Sequence, residues 1–454
     1  MFCDGPCCWS CGCYAAKTKL AGRVAVVTGG NAGIGKATAR ALAKLGFGTV
    51  VVLARSRSKA QAAIKDIREA SCASVSTDRT TLKARVVDLA DLDSVANAAR
   101  KLLRDLDRID VLINNAGIMA SPYATTPAGV EMQWATNVLG HFVLTLLLAP
   151  LMIETASDRL NRFPPRIINL SSTAHYGGVP NIDNLLSAYR GGDAYTPWGA
   201  YSVSKFGNVL LTQALARRFE ALGFGSTIQV ASAHPGVIRT GLWQHQSILA
   251  CLMCPCTLKG ARDGAKPAIN LARADAITSG AFYMPTCCFV TSIGSDDATY
   301  SVTRQEEVWN VLTAQARHTF GVERWTDLTA NNLLLRPPPR GSSSQWSSTS
   351  SDPSTTCETT PVKRRGRRRK SSRARSPSTS SPSLGSAASS AISSRSFSAS
   401  SSTDTPWWTG VNVSAGVDAW LAHAAAIGYN HSQTACDGCC LIPHMLPCCC
   451  YNCC

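Results

Sequence analysis

From Arg23 onward the chain repeats one unit: a short β-branched run, a Gly or polar turn, then a stretch whose apolar residues recur every three to four positions. The runs that read as strands are Val24 to Thr28, Thr49 to Ala54, Leu82 to Val87, Ile109 to Asn114, Arg166 to Leu170, Ser226 to Ala231 and Ala281 to Met284. Helical spacing separates them, as over Ile34 to Leu45 and Leu92 to Leu103. Strands alternating with helices imply a parallel sheet covered on both faces, because right-handed crossovers put the helices there. The expected class is therefore α/β, a doubly wound parallel sheet of about seven strands whose ligands bind at the carboxyl ends of the strands.

The pattern stops near residue 335. Beyond Arg336-Pro337-Pro338-Pro339-Arg340 the sequence turns Ser-rich, with almost no Leu, Ile or Val until residue 406. Such a segment buries too little apolar area to offset chain entropy, so 336–405 reads as a disordered linker. The expected organisation is a Cys-rich segment over 1–19, one α/β domain over 20–325, the linker, and a Cys-rich tail over 406–454. Phe142 to Ile153, the longest apolar candidate, is interrupted by Thr145 and Pro150 and falls short of the about 18 residues that a bilayer crossing takes. It reads as a core helix, and no transmembrane helix is expected. Residues 1–17 lack a basic start followed by an apolar run, so no secretory signal is expected either.

Charge and cysteine change this picture only at the ends. The formal net charge of +16 suggests nucleic acid until it is located. Lys363, Arg364, Arg365, Arg367, Arg368, Arg369, Lys370, Arg373 and Arg375 supply more than half of it, so the α/β region is only mildly basic and nucleic acid is not the expected partner. That basic run reads as a nuclear address, a phosphate-binding patch, a membrane-surface attractant or a solvated linker, its charge adjustable by phosphorylation of the flanking serines. Of the 20 cysteines, thirteen cluster at Cys3, Cys7, Cys8, Cys11 and Cys13, and again at Cys436, Cys439, Cys440, Cys448, Cys449, Cys450, Cys453 and Cys454. A secreted disulfide framework spreads cysteines through its folded domain, so this distribution argues for a reducing compartment, the cytoplasm. Three readings of the clusters stay open: S-acylation that attaches the protein to the cytosolic face of a membrane, zinc held by Cys436-x-x-Cys439 and Cys450-x-x-Cys453, or tail without function.

Candidate chemistry begins where the first strand runs into Thr28-Gly29-Gly30-Asn31-Ala32-Gly33-Ile34-Gly35 and a helix starts at once. A tight glycine turn lets the backbone approach a pyrophosphate, and the helix amino terminus offers unpaired N–H groups and a positive dipole end. Between the first strand and first helix of a repeating α/β chain, this is the Rossmann-type dinucleotide site, with Gly29, Asn31, Gly33, Ile34 and Gly35 as binding residues. The second strand ends Ala54-Arg55-Ser56-Arg57. An acidic residue there would bind the ribose 2′-OH and repel a 2′-phosphate; its absence favours NADP(H), with Arg55 as phosphate partner and Arg57 and Ser56 in reach. Asp88, after the third strand, either bonds the adenine amino group or caps the helix that begins near Asp91. Asn115, Ala116 and Gly117, after the fourth, would form the cofactor floor, with Asn114 tying neighbouring strands.

Tyr201 and Lys205 stand at i and i+4 on one helical face. A free phenol titrates near pH 10, and a nearby ammonium and an oxidised nicotinamide both favour the phenolate, which would give the tyrosine a usable proton. Ile167-Ile168-Asn169-Leu170-Ser171-Ser172 is a strand ending in two hydroxyls on the active edge; adjacent residues point to opposite faces, so one of the two meets the substrate oxygen. Asn137 is a polar residue in an apolar helical run, and either holds a water in a proton relay or satisfies neighbouring backbone. No metal belongs to this constellation.

Together the turn at 28–35, Asn114 to Gly117, Ser172, Tyr201 and Lys205 resemble, in order and spacing, the classical short-chain dehydrogenase/reductase pattern. Thr28 to Lys36, Asn137-Val138-Leu139-Gly140-His141-Phe142, Ser171-Ser172-Thr173-Ala174-His175 and Gly280-Ala281-Phe282-Tyr283 are most similar to its retinol dehydrogenase-like group, which includes the WW-domain-containing oxidoreductases. The resemblance implies an oxidoreductase that moves a hydride between nicotinamide and a carbonyl or alcohol. Tyr201 would be the general acid–base, Lys205 would lower its pKa and hold the ribose, Ser172 would polarise the substrate oxygen and Asn137 would support a water relay. His234 to Thr240 matches the segment against the nicotinamide, which implies binding by Pro235 and Gly236 and a carboxamide contact from Thr240. Trp243, Ile248, Leu249, Leu252 and Met253 would then form an apolar lid over a lipophilic aldehyde, ketone or alcohol, or else pack in the core. Cys251, Cys254 and Cys256 depart from the pattern. The candidate assembly is a homodimer. The rival to an enzyme is a nucleotide-binding scaffold or sensor recruited to membranes or partners by its tails.

Overall fold

The computed structural model describes residues 20–70, 80–158, 163–181, 195–238, 259–285, 290–293 and 301–335. The Cys-rich ends, the basic run, Thr240 and the segment from Leu242 to Leu258 lie outside the described residues. Within the described part, β1 (Val24–Thr28), α1 (Gly33–Lys44), β2 (Thr49–Ala54), α2 (Arg57–Glu69), β3 (Thr81–Val86), α3 (Leu92–Asp105) and β4 (Val111–Asn114) alternate as expected. They are followed by α4 (Met132–Ser157), β5 (Arg166–Leu170), a 3-10 stretch (Thr173–Asn181) and α5 (Pro197–Ala221). Then come β6 (Gln229–Ala233), α6 (Ala261–Arg273), β7 (Phe282–Pro285), β8 (Val290–Ile293), α7 (Val302–Phe320) and α8 (Val322–Thr329).

The strands form one sheet in the order β3-β2-β1-β4-β5-β6-β7-β8. The first seven are parallel; β8 pairs antiparallel to β7 and adds an edge that the sequence pattern did not announce. Strand β6 starts later than expected because the amides of Thr227 and Ile228 bond back to the Phe224 carbonyl at 3.0 and 2.8 Å, closing the turn after α5 before pairing begins at Gln229. Side chains alternate across the pleat, so each strand feeds two cores. Val26, Val51, Leu112, Ile167 and Val230 pack under α3, α4, α5 and α7; Val27, Val52, Ile113, Ile168 and Ala231 pack under α1, α2 and α6. Phe142 meets Trp309 of α7 edge to face with ring centres 5.1 Å apart. Truncating a buried ring of this kind costs about 3–5 kcal/mol.

Helix α4 is longer than the expected Phe142 to Ile153 run, and by length and composition alone it could cross a membrane. In the fold most of its apolar stretch is buried. It continues through Pro150, whose ring nitrogen cannot bond the Leu146 carbonyl four residues back. Asn332 Nδ2 supplies the missing donor at 2.7 Å, so the chain past residue 325 is stitched into the core, where Leu334 is also buried. Near its start, Ala135–Leu139 forms a π turn that carries Asn137.

Candidate active site

Every strand of the β1–β6 run ends on one edge, and the sequence determines what stands there. At β1 the chain turns on Gly29 and Gly33, with φ of +64° and +51°. A Cβ on Gly35 would stand 2.4 Å from the Gly29 carbonyl oxygen and 2.5 Å from Asn115 Nδ2, and one on Gly29 would stand 3.0 Å from Ala116 Cα. No side chain caps the amino terminus of α1, so its first N–H groups face the cleft. Gly29, Asn31, Gly33, Ile34 and Gly35 line that cleft on one side. Arg55, Asp88, Asn115, Ala116, Gly117, Tyr201, Lys205 and Pro235 line the rest. Asn137, Ser172 and Gly236 are not among its lining residues, and Thr240 lies outside the described residues.

The second strand delivers only one of its three candidates. Arg55 is exposed at the rim of the cleft, and the carboxylate lining the cleft is that of Asp88, from the end of the neighbouring strand. Ser56 is the N-cap of α2, accepting the Lys59 N–H at 3.4 Å, and Arg57 is already helical. Asp88 does not cap α3; Asp91 does, accepting from Asp93 and Ser94 at 2.9 and 3.2 Å. Asp88 instead accepts the Ala90 N–H through Oδ1 at 3.0 Å.

The catalytic candidates converge at the other end. Tyr201 and Lys205 are both 5% exposed on α5. Lys205 Nζ lies 5.5 Å from the Tyr201 ring centre and donates to the Leu170 carbonyl at 2.9 Å. The two serines separate as the pleat requires: Ser171 Oγ donates to the Lys205 carbonyl at 2.7 Å, while Ser172 Oγ accepts the Ala174 N–H at 3.2 Å. Burial pushes the Tyr201 phenol up to about 12, with the Ser172 hydroxyl pulling the other way. A phenol lowered by Lys205, as the sequence suggested, is not what the protein alone provides, because desolvation dominates. The same burial pushes Lys205 down to about 8.

Both amide hydrogens of Asn137 are committed to neighbouring groups. Its Oδ1 accepts the Ile118 N–H at 2.9 Å, and its Nδ2 donates to the Ile118 carbonyl at 3.0 Å and to Ser204 Oγ at 2.9 Å. Of the two readings of Asn137, its side chain follows the one that satisfies neighbouring groups.

Residues 23–248 match the family described as short chain dehydrogenase. Retinol dehydrogenase 13 of Homo sapiens is 40% identical over 247 residues, which cover 54% of this chain and 68% of that protein. Retinol dehydrogenase 11 of Homo sapiens is 34% identical over 306 residues, 66% of this chain and 88% of that protein. The chain belongs to the short-chain dehydrogenase/reductase family. A crystal structure of an uncharacterized protein from Mycobacterium Paratuberculosis, 32% identical, superposes with a TM-score of 0.50 over 66% of this chain and 94% of that one. The chain is thus an oxidoreductase-family member of the retinol dehydrogenase-like kind, with the fold of that family.

Two members of this short-chain dehydrogenase site escaped sequence reading. Thr28 Oγ1 accepts the N–H groups of Asn115 and Ala116 at 2.9 and 3.0 Å, pinning the cofactor floor to the end of β1, and lies 2.9 Å from His141 Nε2. His141 Nδ1 lies 3.0 Å from the Asn137 carbonyl. A carbonyl only accepts, so Nδ1 carries the hydrogen and Nε2 of the neutral ring accepts from Thr28. Burial holds His141 neutral, down at about 4, with the Asn137 carbonyl pulling up and Lys205 pushing further down. The His141 pair is 113 residues from Thr28 in sequence, and no local spacing signals it.

Proposed function

We propose that this chain is an NADP(H)-dependent oxidoreductase that interconverts a lipophilic aldehyde or ketone and its alcohol, with Tyr201 as general acid–base. The observation that carries the reading is the Ser172–Tyr201–Lys205 cluster at the inner end of a cleft whose outer end is a glycine-edged, uncapped helix terminus. The cradle fits a dinucleotide: the Gly29 to Gly35 backbone and the α1 N–H groups would hold its pyrophosphate, Asn115 to Gly117 and Lys205 its nicotinamide ribose, and Arg55 a 2′-phosphate. When bound, the dinucleotide supplies or accepts the hydride at the substrate carbon.

The remaining work falls to the chain. The Ser172 hydroxyl acts on the Tyr201 phenol, and the two hydroxyls would bracket one substrate oxygen between them. With its pKa raised, Tyr201 is protonated at neutral pH, the form that carbonyl reduction consumes. Lys205, held to the Leu170 carbonyl, places its ammonium over the phenol ring, where positive charge stabilises the phenolate left after proton transfer. Substrate class rests on the retinol dehydrogenase relatives and on the apolar wall of Met119, Ala120 and Ala174 beside the phenol. The Cys clusters would add S-acyl attachment to a cytosolic membrane face, which acyl-exchange labelling of the full chain tests.

The deciding experiment assays purified protein against lipophilic aldehydes and ketones with NADPH and NADH, beside Tyr201→Phe. NADPH-dependent turnover should fall by about 10²–10⁴-fold in the variant. Full activity of Tyr201→Phe removes the mechanism; preference for NADH removes the assignment of Arg55.

A further inference from the structure

The wall facing Tyr201 is held in place by a side chain with no part in proton transfer. Met119, Ala120 and Tyr201 form one small buried cluster with Ala174 packed on it. Ala120 has a φ of +47°, the single positive value at a non-glycine position among the described residues. An L residue stays in the left-handed region only where its surroundings hold it there. Its N–H donates to Gln133 Oε1 at 2.8 Å. Gln133, fully buried on the first turn of α4, spends its amide nitrogen on the Pro197 carbonyl at 2.9 Å and the Tyr195 hydroxyl at 2.8 Å. Pro197 opens α5, and its carbonyl sits one helical turn ahead of Tyr201. Tyr195 extends the tie: its hydroxyl lies 2.9 Å from the Ser121 carbonyl and 3.2 Å from the Glu131 carboxylate, which itself accepts the N–H groups of Gln133 and Trp134. One primary amide therefore links the strained residue of the wall to the helix turn that presents the phenol.

We infer that Gln133 is a positioning residue that keeps Met119 and Ala120 packed against Tyr201, and thereby makes the enzyme select unbranched over α-branched carbonyl substrates. The inference rests on Tyr201 as the reacting acid, and deepens that reading. Only a side chain that accepts once and donates twice makes these three bonds; Glu lacks the donors and Leu lacks both kinds. Without Oε1 the Ala120 N–H is buried and unpaired, and the backbone gains by relaxing to negative φ. That relaxation carries Met119 and Ala120 off the phenol and opens room beside it.

The test combines hydrogen–deuterium exchange over residues 117–122 with turnover of a straight-chain and an α-branched aliphatic aldehyde with NADPH. Wild type, Gln133→Leu and Tyr195→Phe are compared. In Gln133→Leu the Ala120 amide should exchange at least about tenfold faster. The kcat/KM ratio of straight over branched aldehyde should fall by about tenfold or more, with NADPH Kd unchanged. Tyr195→Phe keeps the Ala120 bond and should shift both readouts the same way by less. Should Gln133→Leu not fold, Tyr195→Phe carries the test alone. Unchanged exchange together with an unchanged ratio overturns the inference. Wild type that turns over neither aldehyde sinks the oxidoreductase reading instead, while exchange at Ala120 still decides the tether.

Discussion

The two ends of the cleft are built on opposite principles. At the phosphate end, between β1 and α1, the site is defined by atoms that are missing: no Cβ at Gly29, Gly33 or Gly35, and no cap on α1. At the catalytic end, between β5 and α5, it is defined by buried side chains that must be present and paired. Lys205, Ser171 and Asn137 each bond a group on another element, and burial displaces the pKa of both Tyr201 and Lys205. An absence is damaged by adding a methyl group; a paired set is damaged by removing a bond or by changing the pH.

The largest effect therefore belongs to Gly35→Ala. Its Cβ would meet backbone at 2.4 Å, so the Gly29 turn must shift. A displacement of about 1 Å in a positioning element costs on the order of 100-fold, and we expect NADPH affinity to fall by that much in a fluorescence titration. Unchanged affinity means that the turn does not touch the cofactor.

Next comes acid. His141 titrates at 6.5 when unfolded and about 4 in the fold, so below 6.5 the unfolded chain binds the proton first. Its contribution is complete above about pH 6.5 and is lost as pH falls towards 4, about 3 kcal/mol in all. His141→Phe should start less stable at pH 7, because Thr28 and the Asn137 carbonyl lose their partner. Its deficit should then shrink by about 2 kcal/mol at pH 4.5 in urea unfolding. Parallel pH curves for the two proteins count against a neutral, buried His141.

This contrast also explains what could be read from residues alone. The glycine turn and the parallel sheet were legible because turn chemistry and strand period are local. Tyr201 and Lys205 were legible because one helical turn separates them. Asn114 shows where legibility ends: a polar residue closing an apolar strand announces some tie, yet its actual partners, Thr145 at 3.0 Å and Asn169 at 2.8 Å, lie on two other elements. Gln133 had no signal at all, and Thr28 and His141 stood inside family-like motifs with no role attached, since each looks like an ordinary polar residue until the fold brings a carbonyl or a strained amide beside it. The choice between Ser171 and Ser172 needed only the register of one strand, and the sequence narrowed it to two.

Charge at the rim gives a smaller effect. Arg55→Asp exchanges a phosphate partner for a repeller, and a charge-assisted bond contributes about 1.5–3 kcal/mol. The NADPH to NADH ratio of kcat/KM should drop by about tenfold to 100-fold, with kcat at saturating cofactor little altered. A ratio that stays put places the 2′-phosphate elsewhere.

The smallest effect sharpens the contrast most, because it runs against intuition: removing the buried cation should make the protein more stable. Lys205 titrates at 10.5 unfolded and about 8 in the fold, where burial penalises its charge. Below about pH 8 the folded state carries that penalty in full; between 8 and 10.5 the unfolded chain holds more proton than the folded one, so stability rises with pH and the penalty fades. Lys205→Met keeps most of the length of the side chain, gives up the bond to the Leu170 carbonyl, and removes the penalty at neutral pH. The net gain expected at pH 7 is about 1–2 kcal/mol, small because the Leu170 carbonyl then keeps only the 3.4 Å bond from Asn208 Nδ2. The advantage over wild type should disappear as pH approaches 10, while turnover is lost throughout. A variant that is less stable at pH 7, or whose advantage does not vary with pH, shows that the lysine is held for the fold and not for the phenol beside it.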